Sequence, residues 1–162
     1  MILTKRILFV VALAAIPLAL TSCLGTDSTG VTLATVETTT FSSSLGVDLM
    51  ASTRTTNGVY VRDVVVGPGA VVTAGQAINI RYSGYLSDGT LFDSNTNAAL
   101  PLAVTVGATN LIRGFGEGLP GMHIGGTRQL LIPPALAYGA NDYNGIPGNS
   151  VLVFNVQAVS VQ

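Results

Sequence analysis

The sequence predicts an α+β domain, a five- or six-stranded antiparallel sheet curled around one short helix. Three observations carry that expectation. From Val59 onward, β-branched and aromatic runs alternate with Gly-rich turns. Only residues 110–119 look helical, and Pro120 stops them. No internal repeat or long heptad pattern supplies a second helical layer, and the domain is expected to be monomeric.

Each element has its own warrant. Residues 59–66 are a β-branched run ending at the turn signal Gly67-Pro68-Gly69. Residues 76–87 alternate, with Ile78, Ile80 and Tyr82 on one face and Asn79, Arg81 and Ser83 on the other. Ser87-Asp88-Gly89-Thr90 reads as a tight reversal, because Asp-Gly suits positive φ, and it leads into Leu91-Phe92-Asp93. Residues 102–106, 127–132 and 151–161 supply three more strands. In the last, Leu152, Phe154, Val156 and Ala158 share a face opposite Val153, Asn155 and Gln157. The helical segment takes Asn110 as N-cap. It carries Gly114, Gly116 and Gly118, each costing about 1 kcal/mol relative to alanine. A helix this weak needs tertiary packing through Leu111, Ile112 and Phe115.

Composition narrows the chemistry. The 162 residues are 48% hydrophobic and 9% charged, with seven basic and eight acidic side chains, one cysteine and one histidine. Nucleic-acid binding needs clustered Lys and Arg, which are absent. One cysteine forms no internal disulfide and no multi-cysteine metal site. A catalytic triad could use only His123, which lies between glycine-flanked turns and is expected to be solvent-exposed. Gly116-Glu117-Gly118-Leu119-Pro120-Gly121 fits a dinucleotide-binding pattern by letter. Pro120 and the strand that follows contradict the helix that pattern must open. Asp142-Tyr143-Asn144-Gly145 lacks the bidentate acid of a calcium loop and reads as a surface turn. No metal and no cofactor are expected.

The N-terminal region has a different character. Lys5 and Arg6 precede an uncharged apolar run at residues 7–20, short of the roughly 20 residues that span a bilayer. Residues 1–22 therefore read as a secretory signal peptide. Leu20-Thr21-Ser22-Cys23 resembles a bacterial lipobox, which implies a lipidated Cys23 as the first mature residue. The mature chain would keep five arginines against eight acids, a charge of about −3, and no lysine. It has no polybasic patch for lipid headgroups, so acyl chains would supply the membrane attachment. Leu24, not an aspartate, favours outer-membrane over inner-membrane retention, facing the periplasm. Residues 26–56 hold 15 Ser or Thr in 31 positions. Residues 23–55 are expected to form the lipidated cysteine and a tether, interrupted by one apolar cluster, Phe41, Leu45, Val47, Leu49 and Met50, which could dock on the domain as a short helix although its spacing is irregular. Residues 56–162 are expected to form the domain.

The order of the remaining motifs carries a resemblance. Residues 80–94, Ile80-Arg81-Tyr82-Ser83-Gly84-Tyr85-Leu86-Ser87-Asp88-Gly89-Thr90-Leu91-Phe92-Asp93-Ser94, resemble the opening of the FKBP-type peptidyl-prolyl cis-trans isomerase domain. Leu111-Ile112-Arg113-Gly114-Phe115, Gly118-Leu119-Pro120-Gly121-Met122 and Gly125-Gly126-Thr127-Arg128 follow in that family's order. So do Ile132-Pro133-Pro134, Ala137-Tyr138-Gly139 and Leu152-Val153-Phe154.

The resemblance implies the FKBP-like fold and an apolar pocket between sheet and helix. Tyr82, Asp93 and Tyr138 would be catalytic, and Phe92, Leu111, Ile112, Phe115, Ile146 and Phe154 would bind substrate. Ile78, Ile80, Leu130 and Val156 read as core. The implied partners are X-Pro segments of unfolded or partly folded extracytoplasmic proteins, with macrolide-type inhibitors as further ligands. The alternative function is a non-catalytic proline-peptide-binding module or chaperone of the same fold. Only 11 residues separate Gly139 from Val151, which argues against a dedicated chaperone insertion there. Three positions depart from the family pattern. Phe115 stands where tryptophan is common, Leu102 replaces an aromatic, and Ala98 stands where an arginine commonly pairs with the aspartate.

Overall fold

A computed structural model describes residues 32–162. The expected signal peptide, Cys23 and Leu24 lie outside the described residues. Among the described residues seven strands, against the five or six expected, run in chain order as β1 (Thr53–Arg54), β2 (Tyr60–Val65), β3 (Ala77–Leu86), β4 (Leu91–Asn95), β5 (Leu102–Thr105), β6 (Thr127–Ile132) and β7 (Leu152–Val161). One helix, α1 (Arg113–Gly118), lies between β5 and β6. The spatial order is β1-β2-β6-β7-β3-β4, with β5 beside the first half of β3. Every pairing is antiparallel.

The alternation read from the sequence becomes the two faces of this sheet. On the concave face Ile78, Ile80, Leu130, Ile132, Leu152 and Val156 are fully buried beneath α1, Leu119 and Met122. Each such side chain contributes about 1.5–3 kcal/mol on burial. Between β3 and β4, Thr90 N–H donates to Asp88 Oδ1 at 2.8 Å, and Gly89 takes φ 96°.

The helix is shorter than its sequence pattern. It begins at Arg113 rather than Asn110, and its N-cap is Ile112, with no side-chain cap bond. Leu111 instead closes a turn onto the Ala108 carbonyl at 3.2 Å. The glycines that weaken α1 are what let it sit on the sheet. A Cβ on Gly114 would lie 2.3 Å from Ile132, and one on Gly118 would lie 2.7 Å from Leu130.

The tether reading is corrected for residues 33–54. They cross the convex face of the sheet as a strap, and β1 at their end pairs with β2. Val36 and Leu45 are buried with Leu131, Val151 and Val153, and Phe41, Val47 and Leu49 pack around them. Only Met50 of the expected cluster stays out, 97% exposed. Polar bonds fix the strap as well. Gln129 Nε2 donates to the Leu45 carbonyl at 2.9 Å, and Tyr60 Oη to Glu37 Oε1 at 2.7 Å. The packed unit therefore begins more than twenty residues before the expected boundary at 56. Hydroxyl-rich composition hid it, because a strap needs few apolar anchors when the sheet supplies the other half of each contact.

Candidate active site

Strand β3 sends Tyr82 toward the concave face, and β7 sends Phe154 to its side. Gly84 is needed between them, since a Cβ there would meet Phe154 at 2.7 Å and Phe92 at 2.8 Å. The rings meet edge to face, a favoured aromatic geometry. Phe115 and Phe154 centroids are 4.7 Å apart at 82°, Tyr82 and Phe115 6.3 Å at 84°, and Phe92 and Phe154 5.5 Å at 90°. Helix α1 supplies Phe115, 5% exposed, as the floor.

Above that floor lies a cavity of about 520 Å³. Its lining includes Tyr82, Asp93, Leu111, Ile112, Phe115, Tyr138 and Phe154. Two expected residues stand behind it instead. Phe92 packs against Phe154, and Ile146 is buried in the core with Phe115. Ile80, read as pure core, also reaches the cavity wall, as does Leu102. Tyr143, which the sequence reading left in a surface turn, lies flat on Tyr138 at 4.3 Å and 11°. The available signals were the second tyrosine five residues after Tyr138 and the Asn144-Gly145 turn that follows it. Those two residues turn with φ 45° and 82°, and Tyr143 and Ile146 exchange both backbone hydrogen bonds.

The polar side chains of the lining are Tyr82, Asp93, Tyr138 and Tyr143, together with Thr109, Asn110 and Arg113 from the segment that leads into α1. Tyr82 Oη donates to Asp93 Oδ2 at 2.7 Å. Burial first, then this bond and the carboxylate charge, push the Tyr82 phenol well above its ordinary range. Tyr138 is also raised, by burial and then by Tyr143 and Asp93, with no hydrogen bond contributing. Both hydroxyls are therefore protonated donors at neutral pH. Among the described residues, the Ile112 backbone N–H makes no hydrogen bond within the chain. At the position where an arginine is expected, the Ala98 carbonyl accepts from Arg81 Nη2 at 3.1 Å.

Arg128, outside the cavity, holds its floor. Arg128, 6% exposed, donates to Asp63 through Nε (2.7 Å) and Nη2 (2.8 Å). Its Nη1 donates to the Gly118 and Pro120 carbonyls at 2.9 Å each. A guanidinium here satisfies carbonyls at the helix C-terminus that have no intrahelical partner. His123 is half-buried rather than exposed; its Nδ1 lies 3.0 Å from the Gly69 carbonyl, remote from the cavity lining. Among the described residues no group of three His, Cys, Asp or Glu could hold a metal ion.

The sequence pattern of the FKBP-type peptidyl-prolyl cis-trans isomerases matches residues 69–159, more than half of the chain. The chain belongs to that family. It is 41% identical over 119 residues to the FK506-binding protein 4 of Chaetomium thermophilum, a match covering 74% of this chain and 23% of that one. The chain thus matches about a quarter of the length of such curated relatives. Its fold superimposes on the crystal structure of AtFKBP13 with a TM-score of 0.62 and 34% identity, covering 68% of this chain and 98% of that one. FkpA from Escherichia coli gives the same TM-score and identity over 69% of this chain and 52% of that one. The FKBP-like architecture, an antiparallel sheet around a short helix, is the one the strand pattern predicts.

Proposed function

We propose that the chain catalyses cis–trans isomerisation of X-Pro peptide bonds in the cavity floored by Phe115. The observation that carries this is a cavity lined by the rings of Phe115, Tyr82, Tyr138 and Phe154, with two tyrosine hydroxyls among its donors, in a chain of this family. Rotation about a peptide bond faces about 18–20 kcal/mol because resonance must be broken. The two X-Pro isomers are close in energy yet exchange over tens to hundreds of seconds. The twisted amide has lost its dipolar resonance form, so an apolar aromatic enclosure disfavours the planar ground state more than the twisted one. The proline ring sits on Phe115 between Tyr82 and Phe154. Tyr138 Oη donates to a substrate carbonyl, and the Ile112 N–H to a neighbouring one. The Tyr82–Asp93 pair forms the polar wall where the rotating carbonyl passes. None of these steps uses a nucleophile, metal or cofactor.

The test is a protease-free isomerisation assay with Leu-Pro peptides. Acceleration that disappears in Tyr138→Phe/Asp93→Leu supports the reading. Peptide binding without acceleration favours a proline-peptide-binding module. The clients we propose are secreted or envelope proteins, with the enzyme held by lipid on Cys23 at the outer membrane, facing the periplasm. The short apolar run and Leu20-Thr21-Ser22-Cys23 support that placement. Fatty-acid labelling that Cys23→Ala abolishes is expected; equal labelling of both chains would refute it. FK506-type macrolides are proposed competitors for the same cavity.

A further inference from the structure

The strap and the outer wall of the cavity meet at one residue. The Ala34 N–H donates to Asn149 Oδ1 at 2.6 Å, across 115 positions of sequence. Asn149 has φ 63°, a left-handed conformation that a side chain disfavours unless other bonds hold it. Its own N–H donates to the Gly139 carbonyl at 2.8 Å, which closes the base of loop 139–149. That loop carries Tyr143, stacked on Tyr138, and Ile146, buried in the concave core. On the other side of Asn149, Val151 and Val153 pack with Val36 of the strap. Leu33, beside Ala34, is 6% exposed. A single residue thus receives the strap through its side chain and closes the cavity loop through its backbone.

We propose that the strap is a brace for the active-site loop, and that Asn149 is the positioning residue through which it sets the orientation of Tyr138 and Tyr143. The strap lies on the convex face and touches no residue of the cavity lining by these bonds, so its influence passes through loop 139–149. The inference deepens the isomerase reading and rests on it for its kinetic part only. Its physical content is that stacked Tyr143 fixes the Tyr138 ring, and the loop fixes Tyr143. Loosening the base of the loop lets both rings sample other positions, which weakens substrate capture before it affects barrier crossing.

Two full-chain variants separate bracing from general stability. Asn149→Gly keeps the left-handed backbone without strain and removes the acceptor for Ala34. Asn149→Asp keeps both the acceptor and a tolerable backbone, and should rescue. We expect Asn149→Gly to raise KM about three- to tenfold on Leu-Pro peptides, with kcat changed less than about twofold. Amide hydrogen exchange should rise at residues 34–36 and at residues 140–148 together, and Asn149→Asp should resemble wild type in both readouts. Faster exchange at 34–36 with no change at 140–148 would overturn the brace, because the strap would then be released without consequence for the loop. Unchanged KM in Asn149→Gly, or an equal rise in both variants, would overturn it as well. If wild type fails to accelerate isomerisation, the isomerase reading falls, and coupled exchange at the two segments still decides the brace.

Discussion

The two faces of the sheet use the same strands to opposite ends. The concave face buries a continuous apolar layer and then stops short, leaving about 520 Å³ unfilled beneath Tyr82 and Tyr138. The convex face carries fewer apolar residues, yet the strap covers them so well that Val153 is fully buried. A face built for packing closes over its contacts. A face built for a ligand keeps a cavity beside a closely seated helix, which Arg128 clamps at one end and whose glycines let it lie on β6. The difference predicts that convex-face substitutions away from the strap segment 33–36 at Asn149 change stability alone, whereas those at the concave rim change turnover alone. Asn149, at the seam between them, is the exception.

The largest effect should come from beneath the cavity. Arg128→Met strands Asp63 and leaves the Gly118 and Pro120 carbonyls without their donor. Arg128 is buried but Asp63 reaches solvent, so most of the loss comes from the unpaired carbonyls, at about 1–3 kcal/mol each; chemical denaturation would read it directly, and α1 should loosen with it. On the convex face, Leu45→Ala removes a strap anchor that is 8% exposed. A loss near 2 kcal/mol, the low end for such truncations, is expected, with kcat/KM on Leu-Pro peptides unchanged. A drop in kcat/KM with Leu45→Ala at unaltered stability would erase the distinction between the faces.

These two cases also mark how much was legible in the sequence. The concave face was readable because period-two alternation in residues 76–87 and 151–161 is a local signal, and the motif order carried the site residues. With Ala98 in place of the usual arginine, Asp93 accepts instead from Tyr82 Oη at 2.7 Å. Arg128 was not readable as a clamp, since its acceptors are carbonyls, which every residue has. Tyr143 escaped because Asn144-Gly145 resembles any surface turn until its stacking on Tyr138 is seen. The strap escaped for a different reason. Its apolar residues Val36, Phe41, Leu45, Val47 and Leu49 follow neither a helical nor a strand period, because each answers to a position on the sheet rather than to its neighbours in the chain.

At the cavity rim the expected changes are kinetic. Asp93→Leu removes the carboxylate wall and the acceptor for Tyr82 Oη, while Tyr138→Phe deletes one donor. Asp93→Leu should be the more damaging, because it alters shape and charge together. A loss of about tenfold in kcat/KM corresponds to about 1.4 kcal/mol of transition-state stabilisation, and Tyr138→Phe should fall below that. Asp93 is exposed and Tyr138 half-buried, so denaturation midpoints should stay close to wild type. Turnover equal to wild type in both would mean that the rim hydroxyls and carboxylate are not part of the reaction.

The smallest effect distinguishes the two faces by pH. Burial works against ionisation of Glu37 on the strap, but the Tyr60 hydroxyl, then its own backbone N–H, Thr35 and Arg54 outweigh it and hold its carboxyl below the usual 4.5. A carboxylate depressed in the folded state adds stability above its unfolded pKa, and that increment is lost as pH falls through the folded value. Tyr82 and Tyr138 at the cavity behave in the opposite sense. Their phenols are raised on folding, so their contribution is complete below pH 10 and is lost as the pH climbs toward their folded values. Tyr60 joins them at the alkaline end because its burial and the bond to Glu37 raise it too. Asp88 adds to the acid end from its turn, where the Thr90 N–H lowers it. Glu37→Gln should therefore be less stable than wild type at neutral pH, with the gap closing as pH falls below 4.5 and the Asp88 share remaining in both chains. Glu37 is exposed enough that the gap should be small, as for other surface ion pairs. Amide exchange in residues 34–39 should rise in acid before exchange around Phe115 does, since the acid-sensitive group sits on the strap and the cavity tyrosines stay neutral there. A gap between Glu37→Gln and wild type that is constant from neutral to acid pH would show that the carboxylate charge does not anchor the strap.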